Sequence, residues 1–174
     1  MVKKNVKEIS KSKNEELLVK KFFPHIELPS YAMETDVGLD LISNETVEFM
    51  PMEQKAVRTG IAIKIPEGHV GLIRDRAGIV TKMNVHTAAG TIDPAYRGEL
   101  SVVLINLSDE SVEVEEGMKI AQLIVLPVKK VDVKEVKSLD VTERYDKGFG
   151  STDKNVKERA KLLEKSKFFK HYIK

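Results

Sequence analysis

The chain has 174 residues, 41% of them hydrophobic, which suits one domain with modest extensions. It has no cysteine, which excludes disulfides and cysteine-held zinc, and no stretch nears the roughly 18 apolar residues of a membrane-spanning helix. The formal charge of +2 hides a division: residues 1–21 carry +4, residues 153–174 carry +5, and the body between carries −7.

An acidic body makes a poor general nucleic-acid surface. No membrane and no direct nucleic-acid partner are expected, and any phosphate bound by the body needs a few placed arginines, helped by a divalent cation. The lysine-rich ends read as solvated extensions. The absence of cysteine, and of an apolar signal run at the N-terminus, predicts a cytoplasmic protein, with a nuclear location left open.

In chain order, residues 1–15 are rich in Lys, Glu and Ser and predict a flexible basic segment, with the folded body expected over 16–141. From Ile26 to about Val141 the pattern is that of strands. VGLIR (70–74), LSVVLINL (100–107), SVEVEEG (111–117) and KIAQLIVLPV (119–128) are rich in β-branched and aliphatic residues, and SVEV alternates with period two. Polar and Gly/Pro punctuation (FMPMEQ, IPEGH, DRAG, YRGE, LSDES, EEGM) recurs at short intervals. The body therefore reads as all-β: a sandwich, jelly roll or closed barrel, with one short helical turn around Ile79–Met83. Residues 142–152 predict a mobile arm. In residues 153–174, Val156, Ala160, Leu162 and Leu163 fall on one side of a helix with Lys and Glu on the other, which predicts a basic helical tail.

The four histidines lack metal-ligand spacing, and no P-loop or serine nucleophile elbow is present. Chemistry must rest on carboxylates, arginines and backbone. In DVGLDL (36–41), Asp40 sits between leucines, and a charge among apolar neighbours needs a partner. IRDRAGI (73–79) places Arg76 before a glycine turn whose N–H groups can face an anion, although a charged hairpin turn is the commoner reading of such a stretch by itself.

HTAAGTIDPAYRGEL (86–100) offers small residues, then Asp93 before a Pro94–Ala95 turn, then Tyr96; Asp93 alone could be a turn-capping aspartate and Tyr96 a core ring. In GMKIAQLIV (117–125), Gln122 in an apolar strand must find partners, as a core link or a site residue. RYDKGFGST (144–152) sets Phe149 between two glycines, with Arg144 upstream and Ser151 and Thr152 after it. A ring, a guanidinium and two hydroxyls on a flexible segment suit a ligand that is flat at one end and anionic at the other.

These five segments, in this order, resemble the five motifs of the trimeric dUTP pyrophosphatases (dUTPases) across roughly residues 16–152. The resemblance implies a jelly-roll-like β-barrel that hydrolyses dUTP to dUMP and pyrophosphate with Mg2+, limiting uracil incorporation into DNA and supplying dUMP for dTMP synthesis. It implies that Asp93 activates the attacking water, that Gly90, Thr91, Ile92, Tyr96, Ser101, Phe149 and Gly150 bind uracil and deoxyribose, and that Arg76, Ala77, Gly78, Gln122, Arg144, Ser151 and Thr152 bind phosphate. Asp40 would act near the metal through its waters. The implied partners are dUTP and two further copies of the chain, with active sites shared across a homotrimer.

Three departures stand out. Ala77 occupies the position where the family usually has Ser, which predicts weaker binding or slower turnover. Tyr145–Asp146–Lys147 replaces a glycine-rich opening of the arm, and Met118–Lys119 stands where Asp-Arg is common. The tail beyond residue 152 is also unusual. Two other readings remain open at this level. A dCTP deaminase-like enzyme shares the IDP hairpin, but this chain has Val103 where that enzyme carries a glutamate. A dUTP-binding regulator would use arm closure as a switch.

Overall fold

The computed structural model describes residues 15–140. By internal contacts the chain divides into two units, Met1–Val131 and Asp132–Lys174. The first holds ten strands and one helix: β1 Leu18–Lys21, β2 Leu39–Ile42, β3 Val47–Phe49, β4 Gln54–Lys64, β5 His69–Arg74, α1 Ala77–Met83, β6 Val85–Ala88, β7 Thr91–Ile92, β8 Glu99–Asn106, β9 Val112–Val114 and β10 Lys119–Pro127.

All pairings among these strands are antiparallel. They form two four-stranded sheets, in the orders β1-β4-β8-β6 and β2-β10-β5-β7, and a β3-β9 ribbon. The fold is all-β and jelly-roll-like, with the strands distributed over separate sheets and not closed into one continuous barrel.

Alternation decides which face goes inward. In β8 every second residue is buried: Leu100, Val102, Leu104 and Asn106. The three apolar ones join Leu41 of β2, Val57 and Ile61 of β4, Ile73 of β5 and Leu123 of β10 in one cluster, so the two large sheets share one core. Burying each such aliphatic side chain contributes about 1.5–3 kcal/mol before the entropy of ordering is counted. In β4 the alternation breaks after Arg58, where the pairing with β8 shifts register. Gly60, at φ 70, takes a left-handed conformation there that a side chain would resist. The register shift accompanies a continuous buried run from Thr59 to Ile63.

The expected helical turn is present and slightly longer than anticipated, beginning at Ala77. It ends at Asn84 in the left-handed conformation (φ 51), whose N–H bonds back to the Val80 carbonyl. At the C-terminal side the strand reading was too generous. Strands end at Pro127, and residues 128–140 carry none despite alternating valines. Val133 (96% exposed) and Leu139 (82%) are left bare, since alternation makes a strand only when an edge is available to pair with it. The predicted flexible N-terminal segment up to residue 14, the arm over 142–152 and the helical tail lie outside the described residues.

Candidate active site

The turn between β5 and α1 is the first centre. Arg76 caps the helix with an extended backbone (φ −95, ψ 130), so the N–H groups of Ala77 and Gly78 open the first turn without intrahelical partners. They lie along a cleft of about 460 Å³, lined also by Asp40, Gln122, Gly38 and the 35–37 turn. The structure thus gathers five of the predicted residues, Asp40, Arg76, Ala77, Gly78 and Gln122, from three separate stretches of chain.

β10 does the gathering. It lies between β2 and β5, and its register puts Gln122 opposite both Asp40 and Arg74. The Gln122 amide donates to the Asp75 carbonyl at 2.8 Å, which ties the strand to the turn. Gly38 leaves room for this amide: a Cβ there would stand 2.2 Å from Gln122 Oε1 and 3.0 Å from its Cβ, and would push the Gln122 side chain aside.

Asp40 has found the partners its setting demanded. It is 6% exposed, with Oδ1 2.9 Å from Arg76 Nε and Oδ2 2.8 Å from Lys119 Nζ. The ammonium approaches Oδ2 outside hydrogen-bonding directions, so that oxygen is ion-paired but accepts no hydrogen bond. Arg76 Nη1 also donates to the Lys119 carbonyl at 3.3 Å. One carboxylate thus orients two cations, of which Arg76 lines the cleft.

Sequence reasoning missed the network around Asp75. Its Oδ1 accepts from the backbone N–H and the hydroxyl of Thr87, each at 2.6 Å, and Oδ2 accepts from His86 Nδ1 at 3.0 Å. Burial pulls this carboxyl upward, but the Thr87 and His86 hydrogen bonds outweigh it and hold the group below the usual carboxylate range. The only sequence signal was an acid in a turn beside two arginines.

The second centre is the hairpin through β7. β7 pairs with β5 on one side and is the outermost strand of its sheet among the described residues, so its other edge presents free peptide donors and acceptors. Gly90 seats the hairpin: its carbonyl accepts from Ile73 N–H at 2.7 Å, and a Cβ would meet the Ile73 oxygen at 2.4 Å. Asp93 follows directly and is exposed; the Tyr96 N–H closes a turn onto its carbonyl at 3.1 Å. Tyr96 is no core residue. Its ring is 44% exposed, with the hydroxyl anchored to the Glu99 carbonyl at 2.8 Å. Ser101 lies on the half-buried face of β8, opposite Arg58 of β4.

The two centres are not one site within a single chain. Ile92 pairs with Gly71, so the antiparallel register sets Asp93 level with Val70 near the start of β5, while Arg76 lies beyond its end, roughly 20 Å apart at the rise of a strand. The cleft at Arg76 includes no hairpin residue. Arg144, Phe149, Gly150, Ser151 and Thr152 lie outside the described residues.

A dUTPase family model matches residues 24–153, most of the chain and all of the segments just described. The chain belongs to the dUTPase family. It is 49% identical over 139 residues to the deoxyuridine 5'-triphosphate nucleotidohydrolase of a Hydrogenobaculum strain, covering 78% of this chain and 96% of that protein. It is 46% identical to the Clostridium kluyveri protein of the same name, covering 79% of this chain and 97% of the relative. Among solved structures it resembles the Staphylococcus bacteriophage 80alpha dUTPase with dUpNHpp, at TM-score 0.74 and 31% identity, over 80% of this chain and 99% of that one. A phage phi11 dUTPase, described with a structural Mg(II) ion, matches at TM-score 0.68 and 27% identity over 73% of this chain and 100% of that one. Two of the departures from the family pattern fall at the cleft: Ala77 lines it, and Lys119 pairs with Asp40, which also lines it.

Proposed function

We infer that this protein hydrolyses dUTP to dUMP and pyrophosphate, by attack of water on the α-phosphorus. The observation that carries the reading is the conjunction on β7 of an unpaired peptide edge, a carboxylate one residue beyond it and an exposed tyrosine ring after the turn. Family membership supports the same activity, which keeps uracil out of DNA and provides dUMP for dTMP synthesis.

A strand edge alternates donors and acceptors, which suits uracil's acceptor–donor–acceptor edge and mismatches cytosine, whose amino group is a donor. A site built from such bonds rejects the wrong partner strongly, because its own polar groups are then left unpaired. The Tyr96 ring packs against the deoxyribose and leaves no room for a 2′-hydroxyl. Asp93, exposed beside the hairpin, positions and deprotonates the attacking water, a role worth typically about 10²–10⁴-fold. Arg76 and the first N–H groups of α1 hold the phosphates and meet charge that develops in the transition state. Arg144, Ser151 and Thr152 extend those contacts and Phe149 caps the base, by the motif they match.

Among the described residues no three His, Asp or Glu side chains converge as a metal site, and Asp40 is already held by two cations. These residues do not form a metal cage. Mg2+ is therefore assigned to the substrate, bound to the triphosphate with most of its waters retained. Asp40 then serves to aim Arg76 and not to ligate the ion.

The opposite placement of Asp93 and Arg76 supports a homotrimer in which one copy provides the hairpin and another the phosphate cleft. The exposed apolar side chains of Tyr31, Met33 and Val37, just before β2, also suit an interface.

The test is pyrophosphate release from dUTP, UTP, dCTP and dTTP with Mg2+, comparing wild type with Asp93→Asn. Release from dUTP alone, reduced by about 10² or more in the variant, is expected. An Asp93→Asn enzyme as fast as wild type would overturn the mechanism, and ammonia from dCTP would move the protein to the deaminases.

A further inference from the structure

We propose that Asp75 is a positioning residue for the phosphate cleft, a clamp that fastens the β5–α1 turn to β6 so that Arg76, Ala77 and Gly78 meet the triphosphate in one geometry. The proposal rests on the dUTP reading only for the identity of the ligand. Residues 75 and 76 lie between β5 and α1: no strand pairing locates Asp75, and Arg76 is tied by backbone only to α1, whose Ile79 and Val80 N–H groups donate to its carbonyl. β6, by contrast, is firmly held. Val85 is 1% exposed, and all four residues of β6 pair with β8, His86 with Ile105 and Thr87 with Leu104 among them.

The turn is the guest and β6 the host, and Asp75 makes the connection. Both carboxylate oxygens are engaged: Oδ1 takes two bonds from Thr87, and Oδ2 takes one from His86 Nδ1, which must carry the proton because a carboxylate only accepts. The Asp75 carbonyl is used as well, by Gln122 of β10. One residue before Arg76 the chain is thus pinned from two directions, and Arg76 itself is pinned from a third by Asp40 of β2. Bonds to an ionised acceptor are the strong class, so three of them on one carboxylate make a stiff connection. A cleft assembled from a short helix start and a single guanidinium depends on such stiffness, since a misplacement of about 1 Å at a reacting group can cost about 10²-fold.

Binding and turnover test the clamp. The full-length protein and its Asp75→Ala and Thr87→Val variants are titrated with dUpNHpp and with deoxyuridine, and steady-state kinetics are measured with dUTP. Asp75→Ala should weaken dUpNHpp by about tenfold or more, the size expected for lost bonds to a charged group, with deoxyuridine affinity held within about twofold. KM should rise more than kcat falls. Thr87→Val, which retains the backbone donor and so the fold, should shift dUpNHpp in the same direction by less, and should add nothing in the Asp75→Ala background. Unchanged dUpNHpp affinity in both single variants would overturn the proposal, as would equal weakening of dUpNHpp and deoxyuridine, which marks general loosening. If Asp75→Ala does not fold, Thr87→Val is read by the same two criteria. A wild-type protein that binds dUpNHpp yet releases no pyrophosphate from dUTP would sink the reaction assigned above, while the binding comparison would still decide the clamp.

Discussion

Gly90→Ala is the sharpest single perturbation of the β7 hairpin. A methyl there would stand 2.4 Å from the Ile73 carbonyl oxygen and 3.2 Å from its carbon, against an ordinary contact of 3.4 Å or more. The obstacle is the backbone of β5 near its C-terminal end, where Ile73 also pairs with Leu123 of β10, so the hairpin must move instead, by about an ångström. That displacement stretches the 2.7 Å bond from Ile73 N–H to the Gly90 carbonyl out of hydrogen-bonding range. Overpacking of this kind costs about 1–3 kcal/mol, and the broken bond adds about 0.5–1.5 kcal/mol. For a chain of this length the melting temperature should fall by about 5–15 °C. The same shift carries Thr91, Ile92 and Asp93 away from their working positions, and kcat/KM for dUTP should drop by about 10²-fold in a protein that is still folded. Pyrophosphate release with dUTP, alongside thermal denaturation followed by circular dichroism, measures both quantities. A variant within about threefold of wild type in kcat/KM and unchanged in melting temperature would refute the argument that contact with β5 sets the hairpin.

Asp40→Asn keeps the shape of the buried side chain and removes the charge shared by Arg76 and Lys119. Those partners are 31% and 44% exposed, so water screens part of the loss, and a destabilisation of about 1–3 kcal/mol is expected in place of the larger cost of a fully buried broken pair. Chemical denaturation measures it, and a kcat/KM that does not fall would argue against Asp40 aiming Arg76. The pH profile provides a second check. The folded-state carboxyl of Asp75 is held below its ordinary value of 3.8, so the stability it contributes is present above that value and is lost as pH falls through the depressed folded one. Wild type should therefore lose melting temperature more steeply than Asp75→Asn below about pH 4, and parallel curves would count against the Thr87 and His86 bonds as the cause.

Much of this was legible in the chain. LSVVLINL announces its buried face by alternation alone, because a pleated strand projects successive side chains to opposite sides, and β8 follows that pattern residue by residue. Asp40 between two leucines declared its need for a counter-charge through the cost of burying an ion, and the order of five short segments identified the family. Local chemistry could not name the partners. Lys119 looked like a departure in a motif, and it became a ligand of Asp40 only because β10 pairs with β2. Asp75 looked like one more charge in a turn, and it became a clamp because α1 turns the chain so that β6 lies beside it. The valines after residue 128 alternate as a strand does, and they form none in the described chain. Period and composition act over a few residues and dictate what each segment can be. Which segment it meets is settled by register between strands far apart in sequence, so the element types and the chemistry of the site belong to the sequence, and the clamp, the shared carboxylate and the separation of Asp93 from Arg76 belong to the tertiary fold.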